Sequence, residues 1–173
     1  MYIEEDGLLG MVASRADMVW PSHYANLYVD ETDVGMGVFA ARDLAPCSWI
    51  LSFEGQLINM DHPLARLDED GVLLQVGRST YLMPRLPAAL LNHSCEPNAG
   101  LFKDTHLVAI RRIAKGEQIC FDYSTTMHEN NWTLECACGT PSCRGVVEDF
   151  KTLSPELQEK YRGMGVVSSF VPE

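Results

Sequence analysis

The stretch Leu91-Asn92-His93-Ser94-Cys95-Glu96-Pro97-Asn98-Ala99 constrains this chain more than any other. Amide, imidazole, hydroxyl and thiol groups follow one another on a backbone that Pro97 keeps from being helical. Such a run packs poorly in a core and serves well as a site. Three other segments accompany it: Val34-Gly35-Met36-Gly37-Val38-Phe39-Ala40 upstream, then Gly116-Glu117-Gln118-Ile119-Cys120-Phe121-Asp122-Tyr123, then Cys136-Ala137-Cys138-Gly139-Thr140-Pro141-Ser142-Cys143-Arg144-Gly145.

The chain has six cysteines, and Cys136, Cys138 and Cys143 crowd into eight residues among turn formers. In a chain that opens Met1-Tyr2-Ile3-Glu4-Glu5-Asp6, without the basic start of a signal peptide, that clustering reads as metal ligands in a reducing compartment rather than as disulfides. A closed structural zinc site takes four ligands. Cys95, Cys120, His93 and His128 are the candidates for the fourth. Cys47 and Cys120 stand among apolar residues and are expected to be small buried hydrophobes.

With 173 residues, 46% of them apolar, there is material for one domain with a real core. No apolar run approaches the ~20 residues of a membrane span, so a soluble, intracellular protein is expected, cytoplasmic or, in a eukaryote, nuclear. The net charge of −11 is uneven: residues 1–70 hold 13 acids against Arg15, Arg42 and Arg66. This disfavours nucleic acid as a direct ligand, which would need clustered Lys and Arg, and suits a basic protein or peptide partner. Oligomeric state has no signature here.

Short apolar runs bounded by turn residues predict strands at Leu27–Val29, Gly37–Ala40, Trp49–Phe53, Gln56–Ile58, Val72–Val76, Thr80–Met83, Leu101–Phe102, His106–Ile110 and Gln118–Phe121. Residues 60–71 read as a polar insert, Gly77 as the turn of a hairpin, and Ala114–Glu117 as the turn before the last strand. Ser154-Pro155-Glu156 starts a short helix over 155–162, which Gly163 stops. The class is mostly β. No Gly-rich strand-to-helix phosphate loop is present, which argues against a doubly wound α/β sheet.

The order and spacing of the four segments resemble the SET-domain protein-lysine N-methyltransferases with a zinc-binding post-SET segment. Asn-His-Ser-Cys-x-Pro-Asn and Cys-x-Cys-x4-Cys are the most specific parts of the match. The resemblance implies a SET fold of several small sheets with a knot-like C-terminal segment. It divides the chain into an N-terminal arm (1–24), a SET domain (25–125), a post-SET segment (126–149) and a helical tail (150–173). It implies S-adenosylmethionine as cofactor, approached by the backbone of Gly35, Met36 and Gly37 and contacted by Asn92 and His93, the latter mainly through its main chain. Met36 stands where the family often has an aromatic. Cys95 is the implied fourth ligand to structural zinc, beside Cys136, Cys138 and Cys143.

Methyl transfer to lysine requires a neutral amine, and deprotonating free lysine at pH 7 costs roughly 4–5 kcal/mol. By resemblance Tyr123 is the catalytic residue, placing the amine and the methyl group, while Phe53, Phe121 and Tyr123 line the lysine channel. The family often has a Tyr at the position of Phe53, and Phe or Tyr at that of Phe121. The missing hydroxyls predict a di- or trimethylated product. The expected substrate is a basic protein, histone or histone-like. The same chemistry on a non-histone protein, a peptide or a small amine, or a silent module that binds a partner, are the alternatives.

Overall fold

The computed structural model describes residues 24–63, 72–130 and 132–172. The expected N-terminal arm, apart from Tyr24, and residues 64–71 of the polar insert lie outside the described residues.

β1 (Leu27–Thr32) and β2 (Gly35–Ala40) form an antiparallel pair, with Leu27 aligned to Ala40 and Thr32 to Gly35. Leu27, Val29, Val38 and Ala40 turn inward, while Tyr28 stacks on Phe39 on the opposite face, ring centroids 5.4 Å apart. One three-stranded sheet joins β3 (Trp49–Ser52) through β9 (His106–Ala109) to β8 (Ala99–Phe102). A second runs β4 (Gly55–Asn59), β6 (Thr80–Pro84), β5 (Leu74–Gly77). The β5–β6 hairpin pairs Gly77 with Thr80, so its turn falls at Arg78-Ser79, one residue beyond the expected Gly77.

Two short strands matter most. β7 (Asn92–His93) and β10 (Cys120–Phe121) run parallel, pairing Asn92 with Cys120 and His93 with Phe121. Asn98, buried, fastens this union: its amide donates to the Gln118 carbonyl (2.7 Å) and the Glu117 carboxylate (3.0 Å), and its oxygen accepts from the Cys120 N–H (2.9 Å). Neither β7 nor the pair β11 (Leu134–Glu135) and β12 (Val146–Val147) has an apolar run long enough to announce a strand. The expected strand from Gln118 loses its first two residues, since Gln118 makes only an isolated bridge to Phe39, and it ends as expected at Phe121, after which Asp122 caps a 3-10 turn over Tyr123–Thr126 by accepting from the Ser124 N–H.

The main core gathers Val38, Leu51, Phe53, Leu91, Leu101, Leu107, Ile119 and Phe121. A second cluster forms under α1 (Pro155–Gly163), where Phe150, Leu153, Tyr161, Val166 and Val171 pack with Val108 and Ile110 of the β9 region. The helix starts as its sequence predicts, with Ser154 accepting from the Leu157 N–H and Pro155 in the first turn. Its tail is seated by a close approach: a Cβ on Gly100 would lie 2.8 Å from Val166. Cys47 departs from expectation. It is exposed, two residues before β3, at φ 63°, so the apolar context of its sequence reflects its neighbours and not its own side chain. Cys120 is half-buried, and burial pushes its thiol up to about 12.

Candidate active site

Two concavities meet at one wall. A cleft is lined by Gly35, Met36, Asn92, His93, Ala137 and Cys138, and a channel by Phe53, Gln75, Tyr81, Phe121, Glu129 and Trp132. Val72, Ala89, Leu91 and Tyr123 line both. The fold therefore brings the Gly-x-Gly segment, Asn92, His93 and the cysteine segment to one side of Tyr123, and the two phenylalanines to the other.

Gly35 and Gly37 serve the cleft in different ways. At Gly35 (φ 105°) a Cβ would meet nothing within 4 Å, so the main chain lies open beside the cleft. At Gly37 a Cβ would strike the Gln118 amide at 2.7 Å and Thr32 at 2.8 Å, so that β2 can lie this close to its neighbours only without a side chain. Asn92 then donates to the Met36 carbonyl (3.0 Å), locking the two expected cofactor segments together.

Tyr123 does not share a strand face with Phe121, as two-residue spacing suggests; it opens the 3-10 turn. The turn nevertheless brings the rings together, centroids 4.8 Å apart, and Phe53 meets Phe121 edge-on at 5.9 Å. The Tyr123 hydroxyl donates to the Leu91 carbonyl at 2.6 Å. With its proton directed there, the oxygen acts toward any other group as an acceptor.

His93 is a link in the site's framework. Burial lowers its pKa to about 4, with Arg144 acting in the same sense against the pull of Asp122, so the imidazole is neutral. Its Nδ1 accepts from the Tyr123 N–H (3.2 Å), which leaves the proton on Nε2, 3.3 Å from the Cys95 sulfur. One ring thus spans Tyr123 and the cysteine cluster.

The Sγ atoms of Cys95, Cys136, Cys138 and Cys143 all lie within 4.8 Å of one another, and Cys95 to Cys136 is 3.7 Å. A tetrahedral thiolate site with bonds of about 2.3 Å implies sulfur separations of about 3.8 Å. Of the four candidates for the last ligand, Cys95 is the one whose sulfur lies with those of Cys136, Cys138 and Cys143; Cys120, His93 and His128 are not in the group. Burial pushes the thiols of Cys95 and Cys136 up, whereas Cys138, which burial also opposes, is brought down to about 6 by its hydrogen bonds with Thr140. Four thiols so close cannot all shed protons unless a cation shares the charge, so the donor set fits a soft metal ion.

Sequence reasoning passed over Asp122, Arg144 and Tyr161. Asp122, 1% exposed, receives both guanidinium nitrogens of Arg144 (2.8 and 2.7 Å) and the Tyr161 hydroxyl (3.0 Å). The Arg144 N–H reaches the Cys95 sulfur at 3.4 Å. The clamp keeps Arg144 above its ordinary pKa despite burial, and burial together with the carboxylate raises Tyr161. A lone Asp before Tyr123 and an Arg after Cys143 carry no motif signal. Their adjacency to site residues is the only hint.

Residues 35–124, just over half of the chain, match the SET domain family. The chain belongs to this family. It resembles Histone-lysine N-methyltransferase trr of Drosophila melanogaster, 29% identical over 145 residues, which is 69% of this chain and 6% of that protein. It also resembles Histone-lysine N-methyltransferase ATX2 of Arabidopsis thaliana, 32% identical over 136 residues (66% and 12%). A third relative is the H3 lysine-36 specific Histone-lysine N-methyltransferase of Kluyveromyces lactis, 30% identical over 140 residues (70% and 20%). The chain spans a fifth or less of the length of these SET-domain relatives. Three cysteines after the SET region cluster with Cys95 inside it, and the group has the make-up of a post-SET metal site.

Proposed function

We propose that this SET protein methylates the ε-amine of lysine in a basic protein, with S-adenosylmethionine as donor and histones as the substrate class. The observation that carries the reading is the position of Tyr123 in the wall common to cleft and channel. When bound in the cleft, the cofactor supplies a methyl group activated by a sulfonium. The open main chain at Gly35 and the Asn92–Met36 bond support a cofactor held largely by backbone, with Asn92 and His93 beside it. Cys95, Cys136, Cys138 and Cys143 would hold a structural zinc that ties the post-SET segment against the cleft.

On the channel side, Phe53 and Phe121 exclude water and lower the amine's pKa. Tyr123 offers its oxygen to the amine and the methyl group, a contribution of placement and electrostatics. The relatives named as histone-lysine methyltransferases support a histone substrate, and the net charge of −11 suits any basic partner. A histone substrate would place the protein at chromatin. Incubation with methyl-labelled S-adenosylmethionine and core histones tests the reading. Label in the histone fraction, lost with Tyr123→Phe, is the expected result; no label in histones or in any protein of a whole-cell lysate would overturn it.

A further inference from the structure

Tyr161 carries a polar group into an apolar place. Its ring, 1% exposed, packs with Phe150, Leu153, Val166 and Val171 under α1, a setting that a phenylalanine would fill as well. The hydroxyl reaches out of this cluster and donates to Asp122 Oδ2 at 3.0 Å. Asp122 is the residue before Tyr123, and both of its carboxylate oxygens are held. Oδ1 accepts from the Ser124 N–H (3.1 Å) and from Arg144 Nη2 (2.7 Å), while Oδ2 accepts from Arg144 Nη1 (2.8 Å) and from Tyr161. One oxygen thus faces the 3-10 turn that Tyr123 opens, and the tail reaches the other.

We propose that Tyr161, on the C-terminal helix, is a positioning residue for methyl transfer: through Asp122 it sets the place of the Tyr123 hydroxyl. The inference rests on the lysine methyltransferase reading and deepens it. Tyr123 follows Asp122 directly in the chain, so the angle at which the ring leaves the turn depends on how Asp122 is seated. The Tyr123 hydroxyl, 2.6 Å from the Leu91 carbonyl, is the end of that lever. Arg144 alone would leave the outer oxygen of Asp122 tied to a long side chain that is 20% exposed and can shift with the cysteine segment. Tyr161 is anchored in a close-packed cluster and holds that oxygen still. Misplacing a catalytic hydroxyl slows transfer and spares binding, because the geometry lost is that around the moving methyl group.

Tyr161→Phe isolates the hydroxyl, since the ring and the cluster around it are kept. With core histones and methyl-labelled S-adenosylmethionine, kcat should fall on the order of tenfold while KM and cofactor affinity stay unchanged. In the Tyr123→Phe background the same substitution should cost nothing further, because no hydroxyl is left to place. A fluorine label on the Tyr123 ring gives a readout free of turnover, and its resonance should move in Tyr161→Phe. Leu153→Ala weakens the same cluster without touching the hydroxyl, and should leave both kcat of the folded protein and the resonance as they are. A folded Tyr161→Phe that turns over at the wild-type rate would overturn the role of Tyr161 and leave the methyltransferase reading intact. So would a loss that persists in full in Tyr123→Phe, or one matched by Leu153→Ala. Absence of methyl transfer by the wild type to histones or lysate proteins would overturn both readings.

Discussion

At the scale of single residues, Tyr123 and Asp122 are neighbours with separable duties. Tyr123→Phe keeps the ring against Phe121 and removes only the hydroxyl that bonds to the Leu91 carbonyl. Turnover should fall by about 10²-fold or more with little change in cofactor affinity, as single-turnover and equilibrium binding measurements would separate. Asp122→Asn leaves the half-buried Arg144 guanidinium without its countercharge, so stability to urea should drop by about 2 kcal/mol. Phe121→Tyr adds a hydroxyl beside the amine site, and the product distribution under enzyme excess should shift from di- and trimethyl toward monomethyl. A wild type that stops at one methyl would contradict that argument. The motif residues were legible because Asn, His, Cys and Gly are rare together in a core. Asp122 and Arg144 were not, since one charged residue in a sequence says nothing of what it will face after folding.

At the scale of elements, the short strands are read where an apolar run lies between turn residues, as in β2 and β6, β1 runs three residues beyond its apolar start, and the helix is read from its cap. What escapes is pairing imposed from outside. β7 and β10 are two residues each and exist because Asn98 and the main chain of Ser94 bind them together, the latter through its N–H to the Phe121 carbonyl. The cysteine segment is an element of the same kind, with little apolar content of its own beyond Val147. Its order should depend on metal. Purified protein should contain one zinc per chain, and a strong chelator should expose residues 134–147 to proteolysis and abolish cofactor binding. Full activity in metal-free protein would refute this dependence. Gly100→Ala should loosen the tail over residues 164–171 by displacing Val166, read as faster amide exchange there.

At the scale of the whole molecule, the parts converge on two neighbouring residues, Asp122 and Tyr123. The buried cluster under α1 sends the Tyr161 hydroxyl to Asp122, the cysteine segment sends Arg144 to the same carboxylate, and the parallel pair brings His93 to the Tyr123 N–H. The acidic balance of the chain adds a longer-range field, so affinity for a basic substrate should weaken as salt rises past physiological strength, where the screening length falls below about 8 Å. The central claim is that a methyl group crosses from cleft to channel past Tyr123 onto a lysine nitrogen. Tandem mass spectrometry of core histones incubated with the protein and S-adenosylmethionine bearing a deuterated methyl tests it most directly. The label should sit on the ε-nitrogen of a defined lysine and vanish with Tyr123→Phe; label on any other atom, or label undiminished in Tyr123→Phe, would contradict the account.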